Sequence, residues 1–428
     1  MIFYKEDSKK QSFYYFFVPC CLCGFYRLLN MKIIADENIP FVADCFSSLG
    51  DVTTLSGRDI TASVIKDTDV LIVRSITKID EKLLQGSSVK FVGTATIGFE
   101  HIDVEYLKQK KIGFASAPGS NANSVAEYII AGLLEIAKKL NIALEGKSIG
   151  IIGVGNVGSK VAQKCSALDM KLFLNDPPLQ RLTGDSKYLP LKSLFDCEVI
   201  TLHTPLTFDG LDKTYHLADE KFFDSLKAGC VFINTARGAV MDTAALKSTI
   251  KGGIIKASVL DVWENEPNID IELLQMVDIA TPHIAGYSLD GKITGMIMIY
   301  EAVCKYFGLP IEKNIVDFLP ESDTPQIKIE NIISDEQEIL HQTVKKIYDI
   351  TKDDADLRRI LNLPQNKRAF IFDRLRKTYR IRREFQNTTC VLATEGIGKK
   401  LATEVTENTE KKLEKKLKGI GFKVSENE

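Results

Sequence analysis

The chain has 428 residues, 45% hydrophobic and 26% charged, with Lys+Arg 55 against Asp+Glu 57 for a formal net charge of -2. That length holds two to three domains of about 100–200 residues with full cores. A balance this close to neutral excludes a whole-chain field for nucleic acid or an anionic membrane surface, so no such partner is expected. The nine Cys are scattered. The CxxC of Cys20 and Cys23 has no second pair and no His nearby in sequence, so reduced thiols are expected and no metal site.

In chain order, Lys9-Lys10 precede an apolar stretch, Phe13 to Tyr26, interrupted by Pro19. It lacks a small-residue cleavage site and is short of the roughly 20 residues a membrane span needs. Residues 1–30 read as a non-native or disordered extension, with Met31 as the natural start. Lys32–Ala35, Val70–Val73, Phe91–Thr94 and Gly113–Ser116 then read as buried strands, with helices at Pro40–Leu49 and Val104–Gln109. A long helix is expected at Asn123–Asn141. Strands follow at Lys171–Asn175, Val199–Leu202, Val231–Asn234, Ala257–Leu260 and Asp278–Ala280, then a helix at Gly291–Phe307. Strands alternating with helices predict parallel, doubly wound sheets.

From about Ile315 the character changes. Pro320, Ser322 and Pro325 mark a linker, and the remainder is rich in charge. Ile327–Glu330, Thr388–Ala393 and Phe422–Ser425 suggest strands, and Glu336–Asp349, Ala369–Phe385 and Glu404–Leu417 suggest helices. The expected class is α/β: two doubly wound Rossmann-like domains, 31–124 (completed by 285–315) and 125–284, plus a small C-terminal α+β domain, 316–428.

Gly153-Val-Gly155-Asn-Val-Gly158 fits G-x-G-x-x-G between the strand beginning near Lys147 and a helix over Val157–Leu168. The next strand ends at Asp176, about the 20-residue offset expected of a ribose contact. Gly153 permits the tight turn, Gly155 lets the backbone approach a pyrophosphate, and Gly158 lets the helix pack closely. Asp176 accepts ribose hydroxyls and repels a 2′-phosphate, which favours NAD over NADP. A nicotinamide cofactor in turn points to a cytoplasmic location.

Three more polar residues sit just past predicted strands: Arg237, Glu266 and His283. In open α/β sheets ligands bind beyond the carboxyl ends of the strands, where these three can converge. Oxidising a 2-hydroxy acid requires a base for the hydroxyl proton, and a neutral His suits that near pH 7. A carboxylate beside it stabilises the imidazolium that forms. A guanidinium grips the substrate carboxylate in a fork.

These motifs resemble the D-2-hydroxyacid dehydrogenase family, whose Arg, Glu and His match Arg237, Glu266 and His283. Ala35-Asp-Glu-Asn38, Val73–Lys78, Phe91–Thr96, Ala117-Pro-Gly119, His203-Thr-Pro205, Leu217–Lys221 and His283–Tyr287 extend the likeness to a branch acting on a phosphorylated hydroxy acid. The resemblance implies that Ser75, Thr96 and Tyr287 contact substrate, and that Asp176, Thr204, Thr235, Ala236, Asp261 and Gly286 contact NAD. It makes 31–124 the substrate-binding domain and 316–428 a dimerisation domain, giving a homodimer. Read by themselves, Ser75 and Thr96 are ordinary turn residues, and Arg74 is a phosphate contact or an ion-pair partner. Arg358, in Asp353–Arg358, either reaches a partner's site to hold phosphate or makes a surface ion pair. Two other functions stay open: dehydrogenation of another 2-hydroxy acid of phosphoglycerate or glycerate type, and a non-catalytic NAD sensor.

Overall fold

The computed structural model describes residues 30–330, 335–392 and 404–426, so all but the last residue of the expected 1–30 extension lies outside the described residues. Two compact units divide the chain.

The first unit runs from the first described residue to Asn121 and adds Leu289–Pro320. Its strands are β1 (Met31–Asp36), β2 (Gly50–Leu55), β3 (Val70–Val73), β4 (Phe91–Thr94) and β5 (Gly113–Ser116), in the order β2-β1-β3-β4-β5. Every neighbouring pair is parallel. The helix Leu289–Phe307 covers one face, through Ile293, Met296, Ile299, Tyr300 and Val303. β3 and β4 are buried on both faces, so they read in the sequence as unbroken apolar runs. β2 was missed for the opposite reason. It is an edge strand, Gly-Asp-Val-Thr-Thr-Leu, with every residue at least partly exposed and no apolar run to mark it. The expected helix Pro40–Leu49 shortens to Val42–Phe46.

The second unit comprises Ala122–Ser288 and Glu321–Glu428. Its main sheet contains β6 (Ser148–Ile152), β7 (Lys171–Asn175), β8 (Val199–Leu202), β9 (Cys230–Asn234), β10 (Ile255–Leu260) and β11 (Ile279–Ala280). The order is β11-β10-β9-β8-β6-β7, all parallel. The chain reverses direction across this sheet between β6 and β8, which opens a crevice at their carboxyl ends. Aspartates start many of the helices: Asp176, Asp219, Asp242 and Asp270 each accept a first-turn backbone N–H.

The C-terminal residues form a second parallel sheet, β12 (Gln326–Ile329), β13 (Thr389–Leu392) and β14 (Lys423–Glu426), in that order. Instead of standing apart, this segment shares one apolar core with the main sheet's helices. Leu340, Val344, Leu413, Leu417 and Ile420 belong to the same cluster as Ile129, Leu133, Val161 and Cys165. The apolar stripe Ile339, Leu340, Val344 and Ile350 is buried within the chain, and Ile347 is partly buried against the same cluster. One further expectation is corrected here, the bounds of the helix after Pro364. The helix expected at Ala369–Phe385 spans Gln365–Lys377 and gives way to extended chain, while Asp353–Arg358 lies inside a helix of its own, Ile350–Arg358.

Candidate active site

The glycine loop follows β6 into the helix Asn156–Ala167. Gly153 has φ +85°, and a Cβ there would come within 2.8–2.9 Å of the His203 carbonyl and within 2.9 Å of the Thr204 nitrogen. A Cβ on Gly158 would stand 1.9 Å from the Gly153 carbonyl oxygen, so only glycine lets the helix start this close to the turn. Gly155 differs: nothing lies within 4 Å of where its Cβ would be. That open backbone at a helix N-terminus suits a pyrophosphate. Asp176 accepts from Val154 N at 2.8 Å and from Leu179 N at 2.9 Å, which ties the end of β7 to the glycine loop and starts the next helix. Thr204, at the carboxyl end of β8, has a buried hydroxyl without a hydrogen-bond partner. An orphaned buried hydroxyl beside this turn suits a hydrogen bond to a dinucleotide.

Arg237, Glu266 and His283 follow β9, β10 and β11. These are adjacent parallel strands, so their carboxyl ends share the sheet edge with the glycine loop. His283 Nδ1 and Glu266 Oε2 lie 2.8 Å apart. Glu266 Oε1 accepts from Trp263 N at 2.9 Å, and Trp263 Nε1 donates to Thr281 O at 2.9 Å, which closes a brace around the pair. Burial pushes the Glu266 carboxyl up. The His283 charge, the bonds from His283 and Trp263, and the Arg376 charge together outweigh it and hold the group below the ordinary carboxylate range. An ionised carboxylate can only accept, so Nδ1 carries the imidazole proton and Nε2 is left with the lone pair. His283 itself sits at φ +59°, a costly conformation for a residue with a side chain.

Asp261 explains how that conformation is held. It is buried, and its carboxylate accepts from Thr281 Oγ1 at 2.6 Å, Ile284 N at 2.7 Å and Ala285 N at 2.9 Å. Its carbonyl takes His283 N at 2.7 Å. The resemblance assigns Asp261 to the cofactor; in the structure its carboxylate accepts from the loop that carries His283. Tyr128, fully buried, adds its hydroxyl 2.7 Å from Thr281 Oγ1.

Arg237 is half-buried in extended backbone, its Nη1 donating to Ala236 O at 2.8 Å. Asn234 holds the turn from both sides, accepting from Ala236 N at 3.0 Å and donating to Arg237 O at 3.1 Å. Thr235 Oγ1 lies 3.4 Å from His203 Nδ1, and desolvation holds that imidazole far below its ordinary range, hence neutral. Gly286 and Tyr287 are half-exposed at the end of the His283 loop. Tyr287 leads to a residue the sequence did not flag. Arg376, on the helix Gln365–Lys377, donates Nη2 to the Tyr287 hydroxyl at 3.3 Å, and its buried Nε has no hydrogen-bond partner. Nothing in its local run, Arg374-Leu-Arg376-Lys, distinguishes it from a solvated basic face.

Ser75 and Thr96 follow β3 and β4 of the first unit. Ser75 is exposed; Thr96 lies 2.7 Å from Thr94 Oγ1 and donates to Gly98 O at 2.8 Å. Of the two roles foreseen for Arg358, an ion pair is present, with Asp354 of its own helix. Nε donates to Asp354 at 2.9 Å, Nη1 to Leu274 O at 2.7 Å and Nη2 to Val277 O at 2.7 Å, so it caps the C-terminus of the helix Ile271–Met276 within its own chain.

A family profile described as D-isomer specific 2-hydroxyacid dehydrogenase, NAD binding domain, matches residues 124–285. A second, described as a domain of unknown function (DUF3410), matches 318–403. The chain is 43% identical over 355 residues to erythronate-4-phosphate dehydrogenase of Hahella chejuensis, covering 83% of this chain and 93% of that protein. It is 43% identical over 358 residues to the enzyme of that name from Escherichia coli, with coverage of 83% and 93%. Among solved structures it is similar to NAD+-bound 3-phosphoglycerate dehydrogenase of Entamoeba histolytica, with TM-score 0.57, 26% identity, and coverage of 65% of this chain and 96% of that one. With 43% identity to these relatives over 83% of its length and a matching NAD-binding domain, the chain belongs to the erythronate-4-phosphate dehydrogenase family of NAD-dependent D-2-hydroxyacid dehydrogenases.

Proposed function

We propose that the chain oxidises 4-phospho-D-erythronate to 2-oxo-3-hydroxy-4-phosphobutanoate in pyridoxal 5′-phosphate biosynthesis. The single observation that carries the chemistry is the 2.8 Å contact between His283 Nδ1 and Glu266 Oε2, which leaves Nε2 as the proton acceptor. His283 takes the proton of the substrate's 2-hydroxyl at Nε2, and the Glu266 carboxylate steadies the imidazolium that results. Arg237 grips the C1 carboxylate and fixes the orientation of C2. NAD, when bound, accepts the hydride from C2. The glycine loop and Thr204 hold its phosphate and nicotinamide portions, and Asp176 its ribose. Arg376 and Tyr287 supply positive charge and a hydroxyl at the outer side of the dyad, complementary to a phosphorylated substrate. Ser75 and Thr96 are assigned to substrate by the family likeness.

The reading includes a homodimer built through the C-terminal segment, supported by the exposure of Phe370 and Ile381 on that segment. It also includes a cytoplasmic location, and among the described residues no helix is long and apolar enough to cross a membrane. The test is NAD reduction, followed by absorbance, across a panel of 2-hydroxy acids. 4-Phospho-D-erythronate is expected to show the highest kcat/KM. Preference for 3-phosphoglycerate or glycerate would replace the substrate assignment, and no turnover of any acid would favour a sensor.

A further inference from the structure

The extended segment after the helix Gln365–Lys377 carries three buried ionic side chains, Arg382, Arg383 and Glu384, that the reaction does not use. Arg382 and Glu384 are only 3% and 4% exposed. Burying a guanidinium and a carboxylate costs several kcal/mol each unless their bonds are well made. Arg382 lies over the Tyr348 ring at 4.3 Å from the centroid and sends Nη2 to Ala285 O at 2.6 Å and to Ser124 O at 3.3 Å. Glu384 Oε1 accepts from Ser124 Oγ at 2.7 Å and from Ser288 Oγ at 3.1 Å, and Oε2 accepts from Asn123 Nδ2 at 2.6 Å.

These bonds bracket the loop that begins at His283. Ala285 has its N–H taken by Asp261 at 2.9 Å and its carbonyl taken by Arg382 at 2.6 Å, so opposite sides of one residue are fixed by different parts of the chain. Ser288 closes the far end. Between the two lie Gly286 and Tyr287, and two residues before Ala285 is His283 at φ +59°. A strained conformation persists only where its surroundings over-determine it. Asp261 holds the backbone of the N-terminal half of this loop at His283 N, Ile284 N and Ala285 N.

We propose that Arg382 and Glu384 are positioning residues for catalysis: the C-terminal segment sets the placement of the His283 loop through Ala285 O and Ser288 Oγ. The inference rests on the assignment of His283 as the acid–base residue. It gives the C-terminal segment a part in turnover that is separate from any role in assembly.

The test uses full-length Arg382→Met, Arg382→Lys, Glu384→Gln and Ser288→Ala proteins. Misplacing a base by an ångström can cost as much as about a hundredfold in rate. Arg382→Met is expected to lose about ten- to a hundredfold in kcat, with NAD Kd changed by less than about twofold because the glycine loop is untouched. Arg382→Lys should recover part of the loss, since an ammonium reaches one carbonyl but not both. Ser288→Ala removes a hydroxyl and no charge, so it folds even if the Met variant does not; a clear fall in kcat at unchanged NAD Kd is expected there too. Folded variants with lowered Tm and wild-type kcat would overturn the proposal, because that is what a purely structural strap gives. Should the wild type turn over no 2-hydroxy acid, the substrate assignment fails and the loop is read directly. The downfield Nδ1–H proton resonance of His283 is then expected in wild type and broadened in Arg382→Met or Ser288→Ala. An identical resonance in all of them overturns the positioning role.

Discussion

Three side chains carry the sharpest expectations at the residue scale. His283→Asn keeps the loop's polarity but removes the base, so kcat should fall by about 10²–10⁴-fold, the usual worth of positioned proton transfer. NAD affinity, measured by fluorescence titration, should stay put. Glu266→Gln keeps the shape and loses the charge, so the acidic limb of the pH–rate profile should move to lower pH. The sign for stability follows from the depressed Glu266 carboxyl. The native ion contributes stability above the unfolded carboxylate pKa, about 4.3, and that contribution is lost as pH falls through the lower folded value. The Tm gap between wild type and Glu266→Gln should therefore be full at pH 7 and close in acid. A gap constant down to pH 2 would contradict this. Asp176 acts in two ways, so Asp176→Ala should do two things. Losing the anion should relax discrimination against NADP in steady-state kinetics. Losing the bond to Leu179 N should cost the about 0.5–2 kcal/mol of an N-cap in thermal or urea melts.

Among elements, the glycine loop separates folding from binding. Gly158→Ala puts a methyl 1.9 Å from a backbone oxygen, so the helix must move. We expect a destabilisation of about 1–3 kcal/mol, typical of overpacking, together with weak NAD binding. Gly155→Ala meets nothing within 4 Å and should melt like wild type while losing NAD affinity, because the methyl occupies cofactor space. Equal melting losses in both would mean that Gly155 is structural. The element-level reading of the sequence succeeded where burial is extreme. β3 and β4 fall on the predicted residues because central parallel strands are apolar throughout. It failed at β2, whose exposed edge leaves a polar sequence, and past Lys377, where Arg380–Glu384 keep helix-like composition but spend their side chains on bonds to other segments.

For the whole molecule, the shared core of the second unit changes what a C-terminal mutation should do. Leu417 is fully buried against that core, and Trp263, the single Trp, is buried elsewhere in the same unit. Leu417→Ala should cost about 2–5 kcal/mol and shift the urea midpoint seen by Trp263 fluorescence. A Trp263 midpoint that ignores Leu417 would mean the C-terminal segment melts on its own. Light scattering on the full chain is expected to give twice the chain mass; a monomer at micromolar concentration would remove the homodimer.

The sequence alone determined the glycine turn and the chain positions of most strands, and it pointed to the proposed pair of His283 and Glu266. Each of these is written locally: glycines at fixed offsets, apolar runs for buried strands, one polar residue past an apolar strand. Tertiary structure decided what those residues lean on. Asp261 and Arg382 reach Ala285 from positions 24 and 97 residues away in the chain. Arg376 meets Tyr287 across 89 residues, and Arg358 turns out to cap a helix. Each is a polar side chain whose partner is set by how the chain folds back on itself, and a buried charge satisfied at long range has the same letter in the sequence as one dissolved in water.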